Sequence, residues 1–319
     1  MVPRQPRVGV AYPVTVASTA VRTSLAILLT LRGGRAAGRP PAEAHWLVMT
    51  TVGADAVLAA ELARAAGRML MTLRAEMGFD DPRALRDEGD RRSHELITAA
   101  LADRRPGDAV LSEEGKDDLG RLTADRVWIV DPLDGTREFG EPGRTDWAVH
   151  VALWAAGGTG SRAGEVPGRA APAGDLVAAA VALPAAGLVF CTEPPPVPAS
   201  PAGGPARIVA SRSRAPAVVD EVTSALAGQK LTLGSAGAKA MAILRGEADV
   251  YVHAGGLYEW DSAAPVAVAR AAGLHASRID GSPLIYNARD PLLPDLLICR
   301  AEYVRDVLAV TRPSAGDPL

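Results

Sequence analysis

Cysteine is nearly absent from this chain, with two in 319 residues. Cys191 and Cys299 each sit inside an apolar run, so the sequence supplies neither a disulfide framework nor a cysteine pair for a metal, and a reducing, cytoplasmic setting fits. An excess of charge is missing too. Lys and Arg number 34 against 37 Asp and Glu, for a formal net charge of −3. That balance lays down no electrostatic footprint for a nucleic-acid polymer or an anionic membrane, and neither is expected as a partner. Long hydrophobic runs are lacking as well. The apolar run at residues 24–31 is too short to span a bilayer. Arg4, Arg7 and Arg22 precede it, but Arg32 and Arg35 follow at once and no clean small-residue cleavage pattern appears, so export is not expected.

What remains is a globular composition, 48% hydrophobic and 22% charged, in a chain long enough for one large or two ordinary domains. Residues 1–48, rich in Arg, Gly, Pro and Ala, read as a disordered extension, with strongly periodic sequence starting at Met49. Residues 49–205 read as an N-terminal α+β lobe, 206–312 as a C-terminal α/β lobe and 313–319 as a tail. A long amphipathic helix is predicted over 54–77, where Val57, Leu58, Leu62, Leu70 and Leu73 recur at helical spacing. After an irregular piece ending at Gly89, Asp90 is placed to cap a second helix carrying Leu96, Ile97 and Leu101. The glycine-rich stretch 157–174 resembles a dinucleotide fingerprint only on the surface. Pro167 and Pro172 follow where an apolar helix is required, so it reads as a loop, as does 194–205.

Chemistry concentrates at Trp128-Ile-Val-Asp131-Pro-Leu-Asp134-Gly-Thr136. The β-branched residues before it form a buried strand that Pro132 should stop, which leaves Asp131 at a strand end. Asp134, the Leu133 carbonyl and Asp131 offer oxygen to hard cations, while the amides of Gly135 and Thr136 suit an anion. An Asp-Gly turn alone is commonplace. This one follows a short strand, 108–112, that ends in Glu113-Glu114; if the two strands are neighbours, those acids reach the same cations. Farther on, Asp261 is expected to cap a helix with Pro265 in its first turn. The turn Gly234-Ser235-Ala-Gly-Ala-Lys239 could approach a phosphate, although a solvent face is the plain reading of Lys239. Residues 147–153 alternate as a half-buried strand. His150 and His253 lie on strands without a second imidazole at ligand spacing and read as core or rim residues.

The set Ser112-Glu113-Glu114, Asp131-Pro-Leu-Asp134-Gly-Thr136 and Trp260-Asp261-Ser-Ala-Ala resembles the signature of the inositol monophosphatase superfamily, Mg²⁺-dependent, lithium-sensitive sugar and nucleotide phosphatases. Thr136-Arg-Glu-Phe139 and Ser211-Arg-Ser213 are similar to its CysQ branch, in the actinobacterial form, which removes the 3′-phosphate of 3′-phosphoadenosine 5′-phosphate. The resemblance covers residues 54–310. It implies a layered αβαβα sandwich with mixed and antiparallel sheets in two lobes, a homodimer, and a small phosphorylated metabolite as substrate. It further implies two or three Mg²⁺ held by Glu113, Asp131, the Leu133 carbonyl, Asp134 and Asp261. Asp90, Glu113 and Thr136 would be catalytic, with Asp90 and Thr136 orienting the water that displaces the ester directly. Glu113, Leu133, Asp134, Gly135, Thr136, Ser211, Ser235, Lys239 and Asp261 would line the substrate site. One departure stands out. The turn 254–258 lacks the acid with which inositol-specific members grip the sugar, unless Glu259 substitutes. Two rival readings remain. Haloacid-dehalogenase-type phosphatases have one residue between their acids where this chain has Pro132 and Leu133. A non-catalytic binding protein would be expected to lack one of Glu113, Asp131, Asp134 and Asp261.

Overall fold

Alternation along one strand explains the architecture. In β2 (Arg126–Asp134), Trp128 and Val130 enter one hydrophobic core, while Val127 and Ile129 enter another on the opposite face, as the two-residue period of a strand demands. A computed structural model describes residues 42–157, 173–201, 203–212 and 215–312. Residues 1–41 of the predicted 1–48 extension, residues 158–172 of the predicted 157–174 loop, Ser213 and the tail 313–319 lie outside the described residues.

The first sheet has the order β1 (Ala109–Ser112), β2, β3 (Ala148–Ala156), β4 (Gly174–Leu183), β5 (Leu188–Cys191), with β1 and β2 parallel and the rest antiparallel. α1 (Ala42–Met77) and α2 (Pro82–Arg104) bury Leu58, Leu70, Leu85 and Ile97 on its outer face. The second sheet runs β7 (Gln229–Leu233), β6 (Arg207–Ser211), β8 (Val250–Tyr258), β10 (Leu292–Cys299), β9 (His275–Ser277). Between the sheets lie α5 (Ala236–Leu244) and α6 (Glu259–Ala271), in one core with Val127, Ile129 and Val181 on one side and Val209, Tyr251 and Ile298 on the other. α4 (Ala217–Ala225) and α7 (Val304–Thr311) close the far face of the second sheet through Val219, Val222 and Val307. Three cores between five layers give the αβαβα sandwich with mixed sheets. The chain from Ala42 on packs as one unit.

Several local expectations are corrected. α1 begins at Ala42, ahead of Met49. α2 begins at Pro82 with Asp81 as its cap, accepting from the amides of Arg83 and Ala84, so Asp90 lies inside the helix. Gly89 does not break α2 because the helix needs it. A Cβ there would stand 2.8 Å from Phe139 Cε1 and 3.0 Å from Leu133 Cδ2. β2 continues past Pro132 as a bulge between Asp131 and Asp134, a position where a missing amide costs no ladder bond. β3 is buried on both faces, because α1 and α6 cover it from opposite sides. Pro265 falls beyond the first turn of α6, which deprives the Asp261 carbonyl of its partner four residues on. β9, β10 and α7 were not anticipated. Pro294 disguises β10, since a proline argues against a central strand except at a bulge, and the β10/β8 register shifts there.

Candidate active site

Parallel pairing of β1 with β2 sets Ser112 beside Val130, and the Glu113 amide donates to the Val130 carbonyl at 3.2 Å. Glu113 is thereby delivered next to Asp131, the neighbourhood the sequence anticipated. The bulge then re-aims the chain. Asp131 Oδ1 accepts from the Leu133 amide (3.0 Å), and Ser93 on α2 donates to the Pro132 carbonyl (2.6 Å), clamping the bulge to the helix that carries Asp90. Gly135 takes φ +83°, and a Cβ on it would lie 2.9 Å from Ser235 Cβ, so glycine is required where α3 (Thr136–Phe139) begins. Thr136 Oγ1 stands 2.9 Å from the Leu133 carbonyl and 3.3 Å from Asp90 Oδ1; its single proton serves one of them.

Asp134 is held differently from its neighbours. Its Oδ1 accepts from the Ala236 amide at 3.1 Å and its Oδ2 from the Gly237 amide at 2.7 Å, both in the first turn of α5. His150 Nε2 stands 3.1 Å from the same Oδ2. Although burial alone would raise the Asp134 pKa, His150, Lys239 and the Gly237 amide bring it down to about 2. Gly237 is packed so closely that a Cβ would fall 2.2 Å from His150 Nε2. Asp261 is the third residue of α6 and not its cap. That place belongs to Tyr258, whose amide donates to Asp261 Oδ2 at 2.6 Å.

The other acids share an unresolved repulsion. Burial, Asp261 and Asp90 push the Glu113 carboxyl up to about 8, even though much of its surface stays open to solvent. Burial and Glu114 raise Asp90 to about 7; burial and Asp134 raise Asp261 to about 6. Asp131, fully buried, is driven well above the usual carboxylate range by burial, Glu113 and Asp134. Carboxylates that raise one another in this way are relieved by a divalent cation, and an all-oxygen set with a backbone carbonyl matches the preference of a hard ion. The residues present therefore fit Mg²⁺. Asp131, Asp134 and His150 also form a group with ligand atoms within 4.8 Å of one another. His150 Nδ1, however, is 3.1 Å from the Trp260 carbonyl, which makes the ring a strut between α6 and Asp134. The sequence placed His150 in the core or at its rim, and it is fully buried; its contact with Asp134 was not foreseen. It lies opposite Asp131 only through the β2/β3 register, which the sequence does not state.

Asp134, Gly135, Thr136, Ser211, Lys239 and Asp261 are among the residues lining a cavity of about 540 Å³. Lys239 is not on a solvent face. It is 3% exposed, donates to the Gly234 carbonyl at 2.6 Å and stands 5.2 Å above the Tyr251 ring. Burial lowers its pKa to about 8 against the pull of Asp134 and Asp261. Ser235, also buried, caps α5 by accepting from the Ala238 amide at 2.8 Å and does not line the cavity. Glu259 is fully buried and faces elsewhere, its carboxylate accepting from the amides of Asn287 (2.7 Å) and Ala288 (2.9 Å). It is not available as a substitute acid for a sugar ring.

Among the described residues, no helix is long and apolar enough to cross a membrane. Residues 53–309 match the inositol monophosphatase family. A Mycobacterium tuberculosis protein described as 3′-phosphoadenosine 5′-phosphate phosphatase is 55% identical over 240 residues, covering 74% of this chain and 85% of the relative. Its Mycobacterium leprae counterpart is 52% identical over 261 residues, 81% and 93% of the two chains. Among solved structures, CysQ from Bacteroides thetaiotaomicron superposes with a TM-score of 0.62 at 26% identity, over 78% of this chain and 97% of that one. The chain belongs to the inositol monophosphatase family.

Proposed function

We propose that this protein is a Mg²⁺-dependent phosphomonoesterase that releases the 3′-phosphate of 3′-phosphoadenosine 5′-phosphate to give AMP, and acts likewise on the 3′-phosphate of 3′-phosphoadenylyl sulfate. The observation that carries this reading is the gathering of Glu113, Asp131 and Asp134 at one bulge, with Asp134 and Asp261 lining one cavity, in a chain more than half identical to mycobacterial proteins named for that activity. Glu113, Asp131, the Leu133 carbonyl, Asp134 and Asp261 would hold two ions. Mg²⁺ bound there supplies Lewis acidity toward phosphoryl oxygen and lowers the pKa of water. Thr136 and Asp90, 3.3 Å apart, would orient the attacking water, with the Asp90 carboxylate as the group placed to accept its proton. Lys239 is protonated at pH 7 and offers its charge to the phosphoryl group across the cavity. The amides of Gly135 and Thr136 sit where that group would rest. Ser211, which lines the same cavity, would contact the remainder of the substrate.

Glu259, occupied with two backbone amides, speaks against an inositol phosphate as the preferred substrate. Phosphate release with and without Mg²⁺, with kcat/KM compared on 3′-phosphoadenosine 5′-phosphate, inositol 1-phosphate and fructose 1,6-bisphosphate, tests the reading. The nucleotide is expected to lead; release that ignores Mg²⁺, or a sugar phosphate in first place, refutes it.

A further inference from the structure

Glu138 is an acid in the wall of a cavity that has to admit an anion. It belongs to α3, two residues after Thr136, and is only 5% exposed. On one side Arg212 reaches its Oε1 through Nη2 (2.7 Å) and Nε (3.2 Å). The same guanidinium extends to Glu141, with Nη1 2.9 Å from Oε2 and Nη2 2.8 Å from Oε1. On the other side the Gly234 backbone is so close that a Cβ would fall 2.1 Å from Glu138 Cδ. Glu138 therefore cannot swing away, and its charge stays at the cavity wall. Asp134 and Asp261, the other acids there, have cations to bind; Glu138 has Arg212. That arginine follows directly on Ser211, which lines the same cavity.

We propose that Arg212 is a positioning residue that sets substrate preference by masking Glu138, so that the cavity accepts a substrate bearing two phosphates. Arg212 acts through Glu138 and does not itself bind phosphate: four of its five N–H donors are engaged by two carboxylates, and it does not line the cavity. The inference rests on the nucleotide reading above. A phosphate monoester carries about −1.5 to −2 at pH 7, so a bisphosphate meets an unmasked wall charge with twice the repulsion felt by a monophosphate. Loss of the mask should raise KM about tenfold for the first and about threefold for the second. A mere brace between α3 and β6 would act differently. Its loss would disturb Thr136 on α3 and lower kcat equally for both.

Steady-state kinetics at saturating Mg²⁺ on adenosine 3′,5′-bisphosphate and adenosine 3′-monophosphate decide between these, using wild type, Arg212→Gln, Arg212→Lys, Glu138→Gln and the double variant R212Q/E138Q. Arg212→Gln is expected to raise KM as above with kcat nearly unchanged, and the difference between substrates should shrink as ionic strength rises. Arg212→Lys keeps the charge and should stay close to wild type, while the double variant should regain most of the lost affinity. Equal loss on both substrates, a fall in kcat alone, or no rescue by Glu138→Gln overturns the proposal. Should Arg212→Gln fail to fold, Glu138→Gln decides by itself: KM for the bisphosphate stays level or falls, and a rise overturns the proposal. Wild type that cleaves neither compound refutes the functional reading instead.

Discussion

Replacing Asp134 by Asn tests how the site is tied into the fold. The substitution preserves shape but puts a donor where an acceptor now faces a backbone amide, either Ala236 N at 3.1 Å or Gly237 N at 2.7 Å. Losing one charge-assisted hydrogen bond of this kind costs about 1.5–3 kcal/mol, and an uncompensated helix N-terminus in a buried setting adds up to about 2 kcal/mol. The depressed pKa gives an independent figure. A carboxyl at about 2 in the fold and near 3.9 when unfolded corresponds to roughly 2–3 kcal/mol of stability. The two estimates agree on a loss of roughly 2–4 kcal/mol, or about 3–7 °C in Tm at this chain length. The sign with pH follows. Because the folded pKa is below the unfolded one, Asp134 stabilises the protein above pH 4 and the benefit disappears as pH falls toward 2. Thermal unfolding of wild type and Asp134→Asn in EDTA reads this without any contribution from bound metal. The gap should be present at pH 5 and close as pH falls toward 2. Turnover with Mg²⁺ should fall by orders of magnitude. If the variant melts with wild type in EDTA, Asp134 does not anchor α5; if it turns over normally, it is no metal ligand.

Other outcomes follow from the same geometry. Glu113 at about 8, Asp90 at about 7 and Asp261 at about 6 all lie above their unfolded values, so the metal-free fold binds extra protons and loses stability as pH rises from 5 to 8. Tm in EDTA should fall over that range, and Mg²⁺ binding at pH 7 should release protons, seen by calorimetry in two buffers of different ionisation enthalpy; a rising Tm refutes the clustering. Gly89→Ala, which would stabilise an open helix by about 0.4–1 kcal/mol, should instead destabilise by about 1–3 kcal/mol through its clash with Phe139 and Leu133, measured by urea denaturation. Glu259→Gln should cost stability through the Asn287 and Ala288 amides and leave KM for the nucleotide unchanged; a KM effect without a Tm effect would return Glu259 to the substrate site.

Legibility from the sequence followed the range of the interaction involved. The acids around Asp131 could be read because a strand, a turn and an Asp-Gly step lie within a few residues and oxygen donors at that spacing have a chemical meaning. The β1/β2 neighbourhood was stated as a condition, and the parallel register meets it. Contacts across the fold were invisible. That Asp134 grips the first turn of α5 depends on two segments far apart in the chain, and His150 joins the acids through a register the sequence leaves open. Asp90 was misread as a cap because Gly89 carries the same local signal whether it ends a helix or lets one approach Phe139. The local pattern alone favoured a solvent face for Lys239, against its place in the substrate set implied by the resemblance, because nothing in its own turn reveals that Tyr251 and two acids enclose it. β10 was missed because a proline in a central strand reads as a break until its bulge is seen.

The helices lying between the sheets have a consequence for how the polypeptide comes together. α5 and α6 come later in the chain, yet they line the inner surface of a sheet that is already complete at Cys191. A ribosome that has just finished β5 thus holds a sheet with one side bare. That sheet has to wait for residues 236–271, and a protein split in the proline-rich stretch near residue 200 would yield two sticky fragments and no miniature enzymes.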